Sequence, residues 1–439
     1  MAPPHSATTT TGVGVRPRIE NRAIAAVILG NALEFYDFTT YSFFAVFIGK
    51  AFFPAKDELT SLLLSVVTFG IGFVTRPIGG VVIGAYADRA GRKPAMLLTI
   101  AMMAIGMLML AVTPSYQTIG IAAPILVVLG RLVQGFALGG EVGPSTAYLL
   151  EASPPSRRGA ITSWQLASQG VATLLAGLVG LGLSITLPQA SMEEWGWRVP
   201  FLLGLAIVPV GLVIRSHLPE TAGVESTEAT KAESSAWGVV KRLFRDHGGI
   251  MVAAMAIIAA GATSNAAGVY MTSYAKTILH MPESTSIAAT PILGLTSVVF
   301  CLLGGWMADR FGRKIIMIAP RALLALVAYP AYYAMVHHPS MVSIFAATIL
   351  ISALSSVCST AAIVAIPESF PRAVRSAGLA IAYAVSVSIF GGGAQAFVTW
   401  LVKETNDPLS PAYFLVAVTL LGVVAPFFMK ETGGCPLVD

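Results

Sequence analysis

Four ionisable residues sit deep inside long apolar runs: Glu34, Asp37, Arg76 and Arg131. At a helical rise of about 1.5 Å per residue, Glu34 and Asp37 lie roughly 18–22 Å into the first run. Arg131 lies about 18 Å into the fourth run, and Arg76 about 15 Å from the far end of the second. A charge in hydrocarbon costs at least ~2.5–3.5 kcal/mol, so such residues point to function. Burial penalises the charged form of a carboxylate, which lets it take and release a proton near neutral pH. Asp37 and Glu34 are therefore the candidate proton carriers. A guanidinium stays charged and grips a carboxylate with two parallel bonds, so Arg131 and Arg76 are candidate anchors for an anionic substrate. The plainer alternative is internal neutralisation, with the arginines paired to Glu34, Asp37 and Glu141.

Polar side chains elsewhere in the runs extend this set. Asn31, Glu34, Asp37 and Tyr41 recur at three- and four-residue spacing, on one helix face. Gln134, Gln165, Gln169, Asn265 and Gln395 are amides in apolar surroundings. They suit substrate hydroxyl or carboxyl groups, or they bridge neighbouring helices. Tyr270 is a further substrate-binding candidate. Arg321, about a turn and a half into its run, suits an inner gate, but snorkelling toward the cytoplasm is the first expectation. Cys301, Cys358 and Cys435 are isolated, and no histidine stands at a ligand spacing, so no metal site is expected.

The elements that position these groups follow from composition. Apolar residues make up 55% and charged residues 11%, against about 25% charged in a soluble domain. Mean hydropathy is +0.76. Twelve runs approach the ~20 residues needed to cross a bilayer: 22–48, 59–86, 94–113, 119–150, 160–186, 197–216, 250–278, 286–307, 315–336, 341–366, 376–402 and 410–429. They are too long and too uniformly apolar for barrel strands. The expected fold is an all-α membrane protein of twelve transmembrane helices in two six-helix pseudo-repeats. The expected organisation is an N-terminal tail (1–21), one bundle (22–216), a polar linker (217–249), a second bundle (250–429) and a C-terminal tail (430–439). Of 27 Lys and Arg, 19 fall in segments that share one side if the N-terminus is inside. Both termini are thus expected in the cytoplasm. The net charge of +5 reflects that topology and not a nucleic-acid surface.

Two duplications support the division. The first is Gly84-Ala85-Tyr86-Ala87-Asp88-Arg89-Ala90-Gly91-Arg92-Lys93, which returns 221 residues later as Gly305-Trp306-Met307-Ala308-Asp309-Arg310-Phe311-Gly312-Arg313-Lys314. The second is the loop at Glu151, Pro154, Arg157, Arg158 and Gly159, which returns at Glu368, Pro371, Arg372, Arg375 and Gly378. Charged turns repeated at half-length suit pairs that form in one conformation and break in another. Asp88, Arg89, Arg92, Asp309, Arg310, Arg313, Glu151 and Glu368 are the candidate gate.

The duplicated decapeptide resembles the signature loop of the major facilitator superfamily, and the resemblance covers essentially the whole chain. Arg76-Pro77-Ile78-Gly79-Gly80, Arg131-Leu132-Val133-Gln134-Gly135, Glu194-Trp195-Gly196-Trp197-Arg198 and Phe390-Gly391-Gly392 resemble the metabolite:proton symporter family. Within it, Thr162-Ser163-Trp164-Gln165-Leu166-Ala167-Ser168-Gln169 and Tyr116-Gln117-Thr118-Ile119-Gly120 are similar to the citrate and tricarballylate branch. That resemblance implies proton-coupled uptake of a small organic acid, a di- or tricarboxylate first, by alternating access. Uptake of an aromatic acid or of a zwitterion such as betaine or proline is the alternative. From a different class, a metabolite receptor that does not transport is a third reading. The expected partners are the organic acid, protons and the lipid bilayer of a bacterial inner membrane, with no cofactor beyond the coupling proton and no second subunit. No nucleophile–base pair or phosphate-cradling loop lies at membrane depth, so an enzyme is not expected.

Overall fold

A chain in lipid must satisfy its backbone polar groups within each span, and a run of ~20 apolar residues does so as helix. The computed structural model describes residues 21–90, 92–139, 142–216, 236–372, 374–435 and 437, and among these there is no strand. Span one is Asn21–Phe43 continued by Ala45–Phe52, and span two is Glu58–Val74 continued by Arg76–Ala90. Span three is Arg92–Val112, and span four Ala122–Leu138 continued by Val142–Ala152. Span five is Arg158–Thr162 with Trp164–Thr186, and span six Val199–Ser216. Spans seven to ten are Ala236–Thr277, Glu283–Phe311, Arg313–His337 and Met341–Glu368. Span eleven runs through Arg375–Val387 and Ala394–Thr405, and span twelve is Ser410–Val424. Eight helices among the described residues are long and apolar enough to cross a membrane by themselves. Span two breaks at Thr75, where its backbone crowds that of span four.

The contact between spans two and four shows why. A Cβ at Gly135 would overlap the carbonyl oxygen of Gly72, and one at Gly79 the carbonyl oxygen of Phe136. The two helices therefore touch backbone to backbone, which only small residues allow. Thr75, at the break in span two, donates its hydroxyl to the Leu132 carbonyl at 2.9 Å. This fixes the start of the next helix, whose first residue is Arg76. In span eleven, Ser388–Gly392 widens into a π-helical turn. Ser388 there donates to the Phe73 carbonyl at 2.9 Å, which ties span eleven to span two.

Burial follows a membrane pattern. Leu326, Val342 and Ile185 are each more than 70% exposed, while arginines lie inside. One interior cluster is aromatic, with Phe38, Phe43, Phe44, Phe69, Phe73, Trp197 and Phe201. At the end opposite the duplicated decapeptide, Val46, Leu62 and Val66 pack against Tyr270, Met271 and Tyr274. Lys403 also donates to Thr60 there. The two halves thus meet beyond the centre.

The stretch 217–249, read from its sequence as a polar linker, is helical from Ala236 onward, with a non-helical turn at His247. Tertiary packing explains this. Leu243 is fully buried with Met251, Ile366 and Phe370, and the His247 ring stands edge-on to Phe370 at 6.3 Å.

Candidate functional site

The halves enclose a central cavity whose water-accessible space is about 170 Å³, room for on the order of ten waters. Phe35, Phe38, Phe69 and Phe73 form one wall, with Arg76, Gln169 and Thr173 beside them. The facing wall carries Asn265, Ser297, Ser355, Ser356, Ser359, Tyr383 and Gln395. Among the described residues, Arg76 is the only charged side chain lining it. The break at Thr75 turns Arg76 inward, where it is only 7% exposed. Its guanidinium carbon lies 4.0 Å from the Phe73 ring centre and 4.6 Å from that of Phe38. Desolvated cation–ring contacts of this kind are worth about 2 kcal/mol, so the rings help to hold the guanidinium at the wall.

Asp37 and Arg131 meet one layer behind this wall. Arg131 Nη1 donates to Asp37 Oδ2 at 2.8 Å and to Gln134 Oε1 at 2.7 Å. The same guanidinium lies 3.8 Å from the centre of the Tyr41 ring. Tyr41 stacks on Phe69, and Phe69 lines the cavity. Asp37 Oδ1, Arg131 Nη2 and Arg131 Nε have no hydrogen-bond partner among the described residues. This is a buried ion pair with half of its bonding capacity unused. Removing one charge from such a pair costs about 3–5 kcal/mol, because the other is left stranded.

The structure sorts the residues singled out in the sequence. Arg76, Gln169, Asn265 and Gln395 line the cavity, and Gln395 also accepts from Ser42 of span one at 2.8 Å. Arg131, Gln134, Asn31 and Gln165 do not. Asn31 donates to the Gln165 carbonyl at 2.7 Å and to Ser168 Oγ at 2.8 Å, and so joins span one to span five. Tyr270 lines a smaller neighbouring cavity and bonds Thr399 at 2.8 Å. Glu34 falls inside span one, but its side chain lies outside the described residues, as do those of Asp88, Arg89 and Arg92. Arg321, expected to snorkel, is instead 1% exposed. Its helix turns that face toward spans seven and twelve, where Gly261 and Gly422 leave room for it.

The second decapeptide closes one end of the bundle. Asp309 accepts from the backbone N–H of Gly159 and of Ala160, each at 2.8 Å, and from Arg313 at 2.7 Å. The two amides begin span five, where unpaired N–H groups and the helix dipole favour an anion. Both Gly159 and Gly305 sit where a Cβ would collide with the other's backbone. The second duplication is crossed between the halves. Arg375 pairs with Glu151 at 2.7 Å, and Arg158 with Glu368 at 3.6 Å. Arg313 also reaches Glu368 at 3.3 Å. Arg310 stands apart, exposed over the rings of Trp306 and Phe311. The C-terminal segment joins this cluster, since Glu431 accepts from the N–H groups of Arg313 and Lys314. Burial raises the proton affinity of Glu431, but the amides of Lys314, Gly433 and Arg313 outweigh it and hold the carboxyl below its ordinary range.

The sequence reading missed the serines of span ten. Ser355, Ser356 and Ser359 fall at i, i+1 and i+4 in an apolar run, a spacing that puts hydroxyls on one helix face.

Comparison with known proteins agrees with the fold. The family model described as "Sugar (and other) transporter" matches residues 23–439. A citrate-proton symporter of Salmonella typhi is 36% identical over 404 residues, covering 92% of both chains. A proline/betaine transporter of Salmonella typhimurium is 32% identical, covering 95% of this chain and 84% of its own. In three dimensions, a D-xylose-proton symporter superposes with a TM-score of 0.75 at 20% identity, over 95% of this chain and 99% of its own.

Proposed function

The chain belongs to the sugar (and other) transporter family of the major facilitator superfamily, and from that premise we propose that it takes up a small di- or tricarboxylate together with protons. The observation that carries the reading is a guanidinium on the cavity wall. Arg76 lies on the wall, and among the described residues no carboxylate lines the cavity with it. A guanidinium on the wall offers a carboxylate two parallel N–H bonds. The similarity to a citrate-proton symporter supports the same substrate class.

Proton coupling rests on Asp37. With Asp37 ionised, Arg131 is held at 2.8 Å. Protonation of Asp37 alone would strand Arg131, so it becomes favourable as an anion in the cavity offsets the positive potential behind the Phe69 wall. Proton and anion then bind with positive coupling, as linkage requires of two ligands that favour one state. Gln169, Asn265 and Gln395 bond the substrate's remaining oxygens. Alternating access follows from opening the Asp309 and Glu368 cluster, which we place at the cytoplasmic face.

One observation favours a second reading. The cavity wall holds four phenylalanines, and aromatic walls suit quaternary ammonium groups. The proline/betaine transporter among the relatives points the same way. Thermal-shift measurements on purified protein against citrate, tricarballylate, an aromatic acid and betaine separate these classes. The proposal expects the tricarboxylates to stabilise most; stabilisation by betaine alone would replace it with the zwitterion reading.

A further inference from the structure

Arg321 is a buried cation with no part in the mechanism proposed for Asp37, Arg131 and Arg76. It is 1% exposed, and Nε, Nη1 and Nη2 all lack a hydrogen-bond partner among the described residues. No carboxylate among the described residues forms an ion pair with it. A guanidinium keeps its charge at every physiological pH, so burial without a partner carries a large desolvation cost. The protein has not hidden it far from the cavity. An added Cβ on Gly261 would lie 3.8 Å from Arg321 Nη2 and 3.0 Å from Ser359 Oγ. Gly261 and Ser359 both line the central cavity, and Ser359 Oγ itself has no partner among the described residues. Without a side chain, Gly261 therefore brings the cavity wall close to an unpartnered cation, beside an unpartnered hydroxyl.

We propose that Arg321 and Ser359 form a second carboxylate subsite, reached past Gly261, on the C-terminal side of the cavity. The proposal rests on the carboxylate reading above and names where the second acid group goes. One carboxylate of the substrate faces Arg76 on span two, and another faces Arg321 on span nine. A carboxylate accepts two parallel N–H bonds from a guanidinium, and the Ser359 hydroxyl supplies a third donor. A substrate with two acid groups would then bridge the two halves across the cavity. A monocarboxylate could engage only one half. The subsite thus selects for di- and tricarboxylates, and it gives the substrate a physical hold on both moving bodies.

The test is tricarballylate binding to the purified full-length protein, by calorimetry and by ligand-induced thermal shift. Arg321→Met removes the cation, and Gly261→Val puts a branched side chain between the cavity and Arg321 while leaving the cation in place. Both variants are expected to bind tricarballylate at least about tenfold more weakly, the equivalent of losing one bond to a charged group. Without ligand, Arg321→Met is expected to melt no lower than wild type, since it removes an unpartnered buried charge. A purely structural arginine would show the opposite sign. If the wild type binds tricarballylate and both variants bind it equally well, the subsite is refuted while the carboxylate reading stands. If the wild type binds betaine and no carboxylate at all, both fall together.

Discussion

Replacing Asp309 with alanine should unlatch the end of the bundle that carries the duplicated decapeptide. The carboxylate holds the amides of Gly159 and Ala160, which belong to the other half, at 2.8 Å each. A hydrogen bond to a charged group is worth about 1.5–3 kcal/mol net. The two bonds between halves therefore favour the closed arrangement by ~3–6 kcal/mol. The site lies at the rim of the bundle, so the lower figure applies, and ~3 kcal/mol is a shift of roughly 100-fold in the closed-to-open ratio. Asp309→Asn keeps one acceptor oxygen and loses the charge, so its shift should be nearer tenfold. Pulsed electron paramagnetic resonance between labels at Ser156 and Phe311, both exposed, reads the separation of the halves at this end. A population at longer distance should grow from wild type through Asp309→Asn to Asp309→Ala. Identical distance distributions in all three would refute the argument that these bonds hold the end shut.

Other outcomes follow from the packing and from the C-terminal cap. Gly135→Ala should destabilise the protein by about 1–3 kcal/mol, as overpacking does, because the new methyl would meet the Gly72 backbone and no rotamer relieves it. The melting temperature in detergent reports this directly, and an unchanged value would contradict the backbone contact. Glu431 titrates below its ordinary value of 4.5 in the folded protein. Its stabilising contribution is therefore present above that pH and is lost as pH falls through the lowered value. The melting difference between wild type and Glu431→Gln should be largest near neutral pH and shrink in acid; a difference that grows in acid would reverse the sign.

Hydropathy located the spans because lipid imposes a length and a composition that any sequence must show. The duplications were legible for a similar reason, since charged turns stand out against apolar helices. Even the Asp37 and Arg131 partnership was among the readings that residue type allowed. Which wall each side chain faces was not legible. Helices buried on most sides show little polar and apolar asymmetry, so nothing in the sequence said that Arg76 lines the cavity while Arg131 stands behind Phe69. Arg321 was misjudged for the same reason. Its distance from the end of the run suggested an escape to the surface, and only the gaps at Gly261 and Gly422 explain its inward turn. The serines of span ten were overlooked because short hydroxyls pass for ordinary helix packing until a cavity is seen beside them.

In the proposed mechanism a proton on Asp37 drives accumulation of an anion. The direct measurement is uptake of labelled citrate into vesicles holding purified protein, with the interior made alkaline. Wild type should concentrate citrate for as long as the pH gradient lasts, and a protonophore should abolish the accumulation. Asp37→Asn should still exchange citrate across the membrane but should not concentrate it. Accumulation by Asp37→Asn equal to that of wild type, under the same gradient, would contradict the claim.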